Sequence, residues 1–235
     1  VVSIDEEVMS TPIIRIHPDR IVTPRDFDEQ PEHTLKVRSH FMTIQGEGPF
    51  AGKPAYFIRL AGCNYGDKDK HCGGSTMSCD TDFRMDQSTD IRFDVLLDAI
   101  EKGTRHRVEP LVVITGGEPA LQYENLIPFV DALSGLDYLV QIETNGVYLP
   151  QLIELAEEGA IIVISPKAHR EHGYSDTHMK KLVEVAVKNS CYLKLLIGGP
   201  PYDDVPIAVL DHAHKLEESL FLSPITVYSD SYEGE

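Results

Sequence analysis

The sequence has no apolar run of about 18 residues, so no segment reads as a membrane-spanning helix. It is short of positive charge. Only 21 Lys and Arg stand against 38 Asp and Glu, giving a formal net charge of −17. That balance, with no basic stripe, argues against a nucleic-acid phosphate surface. Four cysteines in 235 residues are too few for a disulfide scaffold. No charged-then-apolar leader opens the chain, so a cytoplasmic location is expected. What remains is an ordinary globular composition, 42% hydrophobic and 25% charged, at a length that suits one α/β domain.

The two ends differ from the middle. Residues 1–34 read as an acidic N-terminal arm, because Pro12, Pro18, Pro24 and Pro31 break helices and little apolar alternation accompanies them. Residues 228–235 form a polar, acidic tail. Between them, residues 35–227 alternate strand-like runs with helical patterns. Ala55–Leu60, Leu111–Thr115, Tyr138–Glu143, Ile161–Ser165, Tyr192–Ile197 and Leu220–Ser223 read as strands. Helical spacing covers Asp90–Lys102 (Ile91, Val95, Leu96, Ala99 and Ile100 inward), Asn125–Leu133, Leu149–Glu158, Asp176–Asn189 and the region near Ile207–Leu216. Repeated strand–helix–strand order predicts an α/β fold with about six mostly parallel strands, too few for a closed eight-stranded barrel. An open or partial βα barrel is the expected architecture.

Chemistry in such sheets gathers at the carboxyl ends of strands. Three polar clusters lie there: Gly116-Gly117-Glu118-Pro119, Glu143-Thr144-Asn145-Gly146 and Ser165-Pro166-Lys167. Each alone could be turn chemistry. Together they predict a site on one rim. Just after the first of the predicted strands come Cys63, Cys72 and Cys79, spaced Cys-x8-Cys-x6-Cys. Thiolates select zinc or iron–sulfur clusters. A structural zinc would need a fourth ligand, for which His71 or Cys191 could serve. Three thiolates alone suit a 4Fe–4S cluster with one iron open. Cys191 reads better as a small core residue.

Thr43-Ile44-Gln45-Gly46-Glu47-Gly48, followed by Phe57-Ile58-Arg59-Leu60-Ala61-Gly62-Cys63-Asn64, resembles the radical S-adenosylmethionine (SAM) superfamily. Within it the match is to the 7-carboxy-7-deazaguanine synthase family. Cys79-Asp80-Thr81, Thr115–Pro119, Glu143–Gly146 and Ser165–Lys167 continue the likeness in the same order, over roughly Leu35 to Pro224. The superfamily's usual cysteine loop is Cys-x3-Cys-x2-Cys; the loop here is expanded, as in some members of the synthase family.

The resemblance implies a residue-by-residue site. Cys63, Cys72 and Cys79 would hold a 4Fe–4S cluster whose fourth iron takes SAM. Ser78, Cys79, Asp80, Gly117, Glu118, Asn145, Ser165, Pro166 and Lys167 would bind SAM. For Glu118 the alternative is a charge placed on a helix N-terminus. Ile44, Gln45, Gly46, Glu47, Arg59 and Thr115 would bind 6-carboxy-5,6,7,8-tetrahydropterin, with Arg59 offering a planar fork to its carboxylate. Thr81 would be the protein ligand of Mg2+. The implied reaction is hydrogen abstraction from C6, radical ring contraction and loss of ammonia, with no side chain assigned a catalytic step. The implied partners are a reducing electron-transfer protein and a second copy in a homodimer. Two other readings stay open: a glycyl-radical-enzyme activase of the same superfamily, and a non-catalytic zinc-binding α/β module.

Overall fold

A computed structural model describes residues 30–65, 81, 83–105, 107–167, 176–189, 191–197 and 205–224. Most of the predicted arm, all of the predicted tail, and Cys72, Ser78, Cys79 and Asp80 lie outside the described residues. Eight strands form one sheet among those described: β1 (Thr34–Ile44), β2 (Pro54–Leu60), β3 (Thr89–Arg92), β4 (Leu111–Gly116), β5 (Leu139–Thr144), β6 (Ile161–Ile164), β7 (Tyr192–Ile197) and β8 (Leu220–Pro224). Their spatial order is β3-β1-β2-β4-β5-β6-β7-β8. The six strands from β2 to β8 in that order pair in parallel. β1 runs antiparallel to both β2 and β3. The chain is therefore α/β with a mostly parallel, open sheet.

The helices are α1 (Phe93–Thr104), α2 (Tyr123–Ser134), α3 (Leu149–Glu157) and α4 (Asp176–Lys188), with single turns α5 (Ile207–Leu210) and α6 (Ala213–Leu216). None is long and apolar enough to cross a membrane among the described residues. Period-2 alternation then decides which strand residues meet them. Ile58 and Leu60, Val112 and Ile114, Val140 and Ile142, Ile162 and Ile164, and Leu193 and Leu195 pack with Leu96, Ile100, Phe129, Leu133, Leu152 and Leu182 from the helices in one large core. Each such Leu or Ile contributes about 1.5–3 kcal/mol on burial.

Two sequence expectations change here. β1 is an added eleven-residue strand, with polar Lys36, Arg38 and His40 along it, which masks its pattern. The helix expected from Asp90 begins only at Phe93, because Asp90, Ile91 and Arg92 pair with Lys36, Leu35 and Thr34 as β3. That later start turns Val95 outward, 50% exposed, and puts Phe93 in the core instead. The single helix expected near Ile207–Leu216 is two separate turns.

Candidate active site

The alternate residues of the same strands face away from the helix-packed core. Ala55 and Phe57 from β2 and Leu111 and Val113 from β4 form a small apolar floor, with Phe50, from the 3-10 turn Gly48–Phe50, and Leu139 packed against it. Towards the strand carboxyl ends this face turns polar. Arg59 and Thr115 are direct register partners. Phe41 stacks on Phe57 with ring centroids 6.0 Å apart, and the Arg59 guanidinium lies 5.7 Å from the Phe41 ring centre. Arg59 Nη1 donates to Thr81 Oγ1 at 3.2 Å. Arg59 Nε is buried with no hydrogen-bond partner among the described residues. A guanidinium with one donor on a hydroxyl and another orphaned is suited to an incoming anion.

A second centre is Glu118, wholly buried between the ends of β4 and β5. Its Oε1 accepts from Ala120 N at 3.0 Å and from Thr144 Oγ1 at 2.7 Å; its Oε2 accepts from Asn145 N at 2.8 Å. Burial pushes the Glu118 carboxyl above its ordinary range, although those three donors and the charge of Lys167 pull the other way. Glu118 thus caps the short 3-10 turn Pro119–Gln122, close to the helix-terminus alternative, while also tying two strand ends together. Asn145 Nδ2 donates to Asn64 Oδ1 at 2.7 Å, beside the buried Cys63. Gly116 and Gly117 have internal reasons to be glycine. Gly116 sits at φ +122°, and a Cβ on Gly117 would lie 1.7 Å from the Gly62 carbonyl oxygen. Glu118 N donates to that same carbonyl at 2.9 Å, so the start of the cysteine loop rests directly on the Gly-Gly-Glu turn.

The third centre joins the ends of β1, β5 and β8 to the middle of β7. Lys194, on β7, has a side chain only 10% exposed; its Nζ is 2.8 Å from Glu47 Oε2 and 3.8 Å from Glu143 Oε2. Ser223 Oγ also donates to Glu47 Oε2, at 3.3 Å. Burial raises the Glu47 carboxyl, but the hydrogen bond and charge of Lys194, with help from Ser223 and Lys167, outweigh it and hold the carboxyl below its ordinary value. Glu143 Oε1 accepts from Gln45 Nε2 at 2.8 Å and Gln141 Nε2 at 2.9 Å. Thr115 Oγ1 reaches Glu143 Oε2 at 3.4 Å. Gln141 is fully buried and its Oε1 has no hydrogen-bond partner among the described residues.

The predicted residues therefore sort clearly. Gln45, Glu47, Arg59 and Thr115 share the polar face, although the Gln45 side chain is spent internally: its Oε1 also takes the Glu47 N–H at 3.3 Å. Ile44 ends β1 with an exposed side chain, and Gly46 has open space where a Cβ would be. Glu118 and Asn145 occur together in the buried node. Ser165 N donates to Thr144 O at 2.7 Å, which fixes the start of Ser165-Pro166-Lys167. Among the described residues no three His, Cys, Asp or Glu side chains cluster to hold a metal. Sequence reasoning missed Lys194 and Gln141 as parts of the face, and placed Glu143 there only as a member of a rim cluster with no role of its own. A single charge inside the apolar run Tyr192–Ile197 was a usable signal for Lys194, of the kind that singled out Arg59. It also missed Gln122, which accepts from Lys36 N at 2.8 Å and donates to Lys36 O and Ala61 O at 3.1 Å, latching β1 to the foot of the cysteine loop.

A mostly parallel, open sheet with charged groups converging on one face is an arrangement that suits small-ligand binding. No family model matches the chain. It is 41% identical over 134 residues to the 7-carboxy-7-deazaguanine synthase of Rhodospirillum rubrum, across 57% of this chain and 51% of that protein. The chain thus spans about half the length of that relative. To the 7-carboxy-7-deazaguanine synthase of Rickettsia prowazekii it is 37% identical over 187 residues, across 74% of this chain and 72% of that one. The crystal structure of QueE from Escherichia coli matches with a TM-score of 0.56 and 25% identity, across 82% of this chain and 85% of that one. The chain belongs to the 7-carboxy-7-deazaguanine synthase family.

Proposed function

We propose that the chain is a radical SAM lyase that converts 6-carboxy-5,6,7,8-tetrahydropterin to 7-carboxy-7-deazaguanine with loss of ammonia. Family membership supports the reaction. The observation that carries the substrate reading is the buried Arg59 Nε, which has no hydrogen-bond partner among the described residues, on a face where most polar groups are bonded internally. A pterin carboxylate would complete that fork, at about 1.5–3 kcal/mol for a good charged hydrogen bond. Glu47 would accept ring N–H donors, and Ile44, Gly46 and Thr115 would line the same pocket. The sheet is read as a partial barrel, with residues 35–227 as the domain, 1–34 as an arm and 228–235 as a tail.

Cys63, Cys72 and Cys79 would hold a 4Fe–4S cluster. Cys63 fits as a buried thiol at the mouth of β2, resting on the Gly62–Glu118 backbone contact; Cys72 and Cys79 lie outside the described residues. When bound, cluster and SAM supply the one-electron chemistry that removes hydrogen from C6. Ser78, Cys79, Asp80, Gly117, Asn145, Ser165, Pro166 and Lys167 would hold SAM. Glu118 would face its amino group with whatever accepting capacity its three internal donors leave. Gln141, Gln45 and Glu143 would stiffen the pocket and exclude water. Mg2+ at Thr81 is proposed with a condition. That hydroxyl already meets the Arg59 guanidinium, so a dication there needs substrate oxygens as compensating charge. A reducing electron-transfer protein and a second copy of the chain complete the proposed partners. The test is anaerobic turnover with reductant, SAM and carboxytetrahydropterin. Ammonia and the deazaguanine should form together; SAM cleavage without either product would move the chain to an activase role.

A further inference from the structure

Most of the polar face has its hydrogen bonds closed from within. Glu143 has both oxygens occupied, by two amides on Oε1 and by Thr115 and Lys194 near Oε2. Glu47 is different. Its Oε2 is held by Lys194 and Ser223, and its Oε1 has no partner among the described residues. The group that separates these two oxygens is a nearly buried lysine in the middle of an apolar strand. We propose that Lys194 is a positioning residue for pterin recognition: from β7 its ammonium clamps Glu47 Oε2, fixes the carboxylate plane, and leaves Oε1 facing the ring N–H donors. This deepens the proposed reading and rests on it.

The charge arithmetic supports the clamp. A buried ammonium needs a carboxylate, and a lysine offers a point charge with three donors on a flexible stem. Here one ammonium serves two carboxylates, one from the end of β1 and one from β5. Around Glu47 the facing charged and titratable groups are Lys194 from β7, Lys167 after β6 and, across the ammonium, Glu143 from β5; Ser223 from β8 adds its hydroxyl. Removing Lys194 removes the largest downward influence on the Glu47 carboxyl and leaves burial to push it up. It also brings the charge of Glu143 to bear unshielded, in the same direction. A protonated Glu47 presents a donor to ring donors, so affinity should fall on the acid side and recover as pH rises.

The test is equilibrium titration of carboxytetrahydropterin into the anaerobic, cluster-loaded, SAM-bound enzyme at several pH values from about 4.5, near the ordinary carboxylate range, up to about 8. Lys194→Met should weaken pterin binding roughly ten- to a hundredfold at neutral pH, with affinity climbing as pH rises, while SAM affinity is unchanged and the unmodified enzyme gives a flat profile. Lys194→Arg keeps the charge and should restore the flat profile; it carries the test if Lys194→Met does not fold. In a Glu47→Gln background, Lys194→Met should cost little more, because the two act through one oxygen. A full additional loss there, a sloped profile in Lys194→Arg, or an unaltered pterin affinity in Lys194→Met overturns the role of Lys194 and leaves the enzyme reading standing. Failure of the unmodified, SAM-binding enzyme to bind the pterin removes both.

Discussion

The two faces of the sheet are built from alternate residues of the same strands, and they obey different rules. On β5, Val140 and Ile142 join the helix-packed core, while Gln141 and Glu143 point the other way. On β4, Val112 and Ile114 oppose Val113 and Thr115; on β7, Leu193 and Leu195 oppose Lys194. Burial does not separate the faces, since Ile142 and Gln141 are both 0% exposed. Partnering does. The helix side closes mainly with apolar contact. Beyond its small apolar floor, the other side is a network of amides, carboxylates, the Arg59 guanidinium and one ammonium that leaves a few atoms without partners among the described residues: Arg59 Nε, Gln141 Oε1 and Glu47 Oε1. Because an unpaired buried polar atom costs about 1–3 kcal/mol, Arg59 Nε and Gln141 Oε1 mark where a ligand gains most.

The largest effect should come from two cysteines of equal burial. Cys63 and Cys191 are each 3% exposed. Cys63 sits with Tyr65 and Phe83 at the rim; Cys191 lies in the large core at the start of β7. Burial pushes the Cys191 thiol up to about 11, so it stays protonated and inert. Cys63→Ala should abolish an intact cluster, measured as iron and sulfide content and as the visible absorption of the anaerobic protein. Cys191→Ala should leave both unchanged. Cluster loss in the Cys191 variant, or retention in the Cys63 variant, would reverse the comparison.

Next comes a contrast within β5. Ile142→Ala should destabilise the apoprotein by about 2–5 kcal/mol in urea unfolding, through lost transfer energy and a residual cavity. Gln141→Leu should change stability by less than about 1 kcal/mol, because it removes an amide whose oxygen is already unpaired. Equal losses would mean that both faces are held by packing.

Much of this division was legible in the sequence. Parallel strands buried on both sides read as continuous apolar runs, and all six expected strands start and stop within one residue of the structure, with Tyr192–Ile197 matching at both ends. The Gly-Gly-Glu-Pro, Glu-Thr-Asn-Gly and Ser-Pro-Lys clusters do fall at the ends of β4, β5 and β6. What was hidden depends on long-range pairing. β1 and β3 each lack a clean apolar alternation and exist because they pair with each other and, for β1, with β2. Lys194 meets Glu47 across 147 residues of chain, a contact that no local pattern encodes. The opposite holds for Glu118, where the motif was visible but the three internal donors were not.

A smaller effect should separate Arg59 from a merely structural arginine. Arg59→Lys keeps the charge and most of the stem but loses the planar fork. Carboxytetrahydropterin affinity should fall by about 1.5–3 kcal/mol, roughly ten- to a hundredfold, with iron content and SAM binding unaltered. Unchanged affinity would assign Arg59 to packing against Phe41 and to its bond with Thr81.

The smallest effect is one of pH on stability, and it compares Glu47 with Glu118. The Glu47 carboxyl is held below its ordinary value in the folded chain, so its stabilisation is fully present above the unfolded value and is lost as pH falls through the folded one. Glu118 is shifted the other way by burial, so its own contribution declines as pH rises. Comparing the apoprotein with its Glu47→Gln variant cancels Glu118, which is present in both. The Glu47 side chain is 47% exposed, so solvent screening limits its contribution with Lys194 to about 1 kcal/mol or less. The unmodified chain should be the more stable by that margin near neutrality, and the gap should close as pH falls from about 5 towards 3. Urea unfolding at several pH values measures it directly. A gap that stays constant into acid would mean that Glu47 contributes through packing and not through its ion pair with Lys194, and the charged side of the sheet would then lose its claim to be tuned by that lysine.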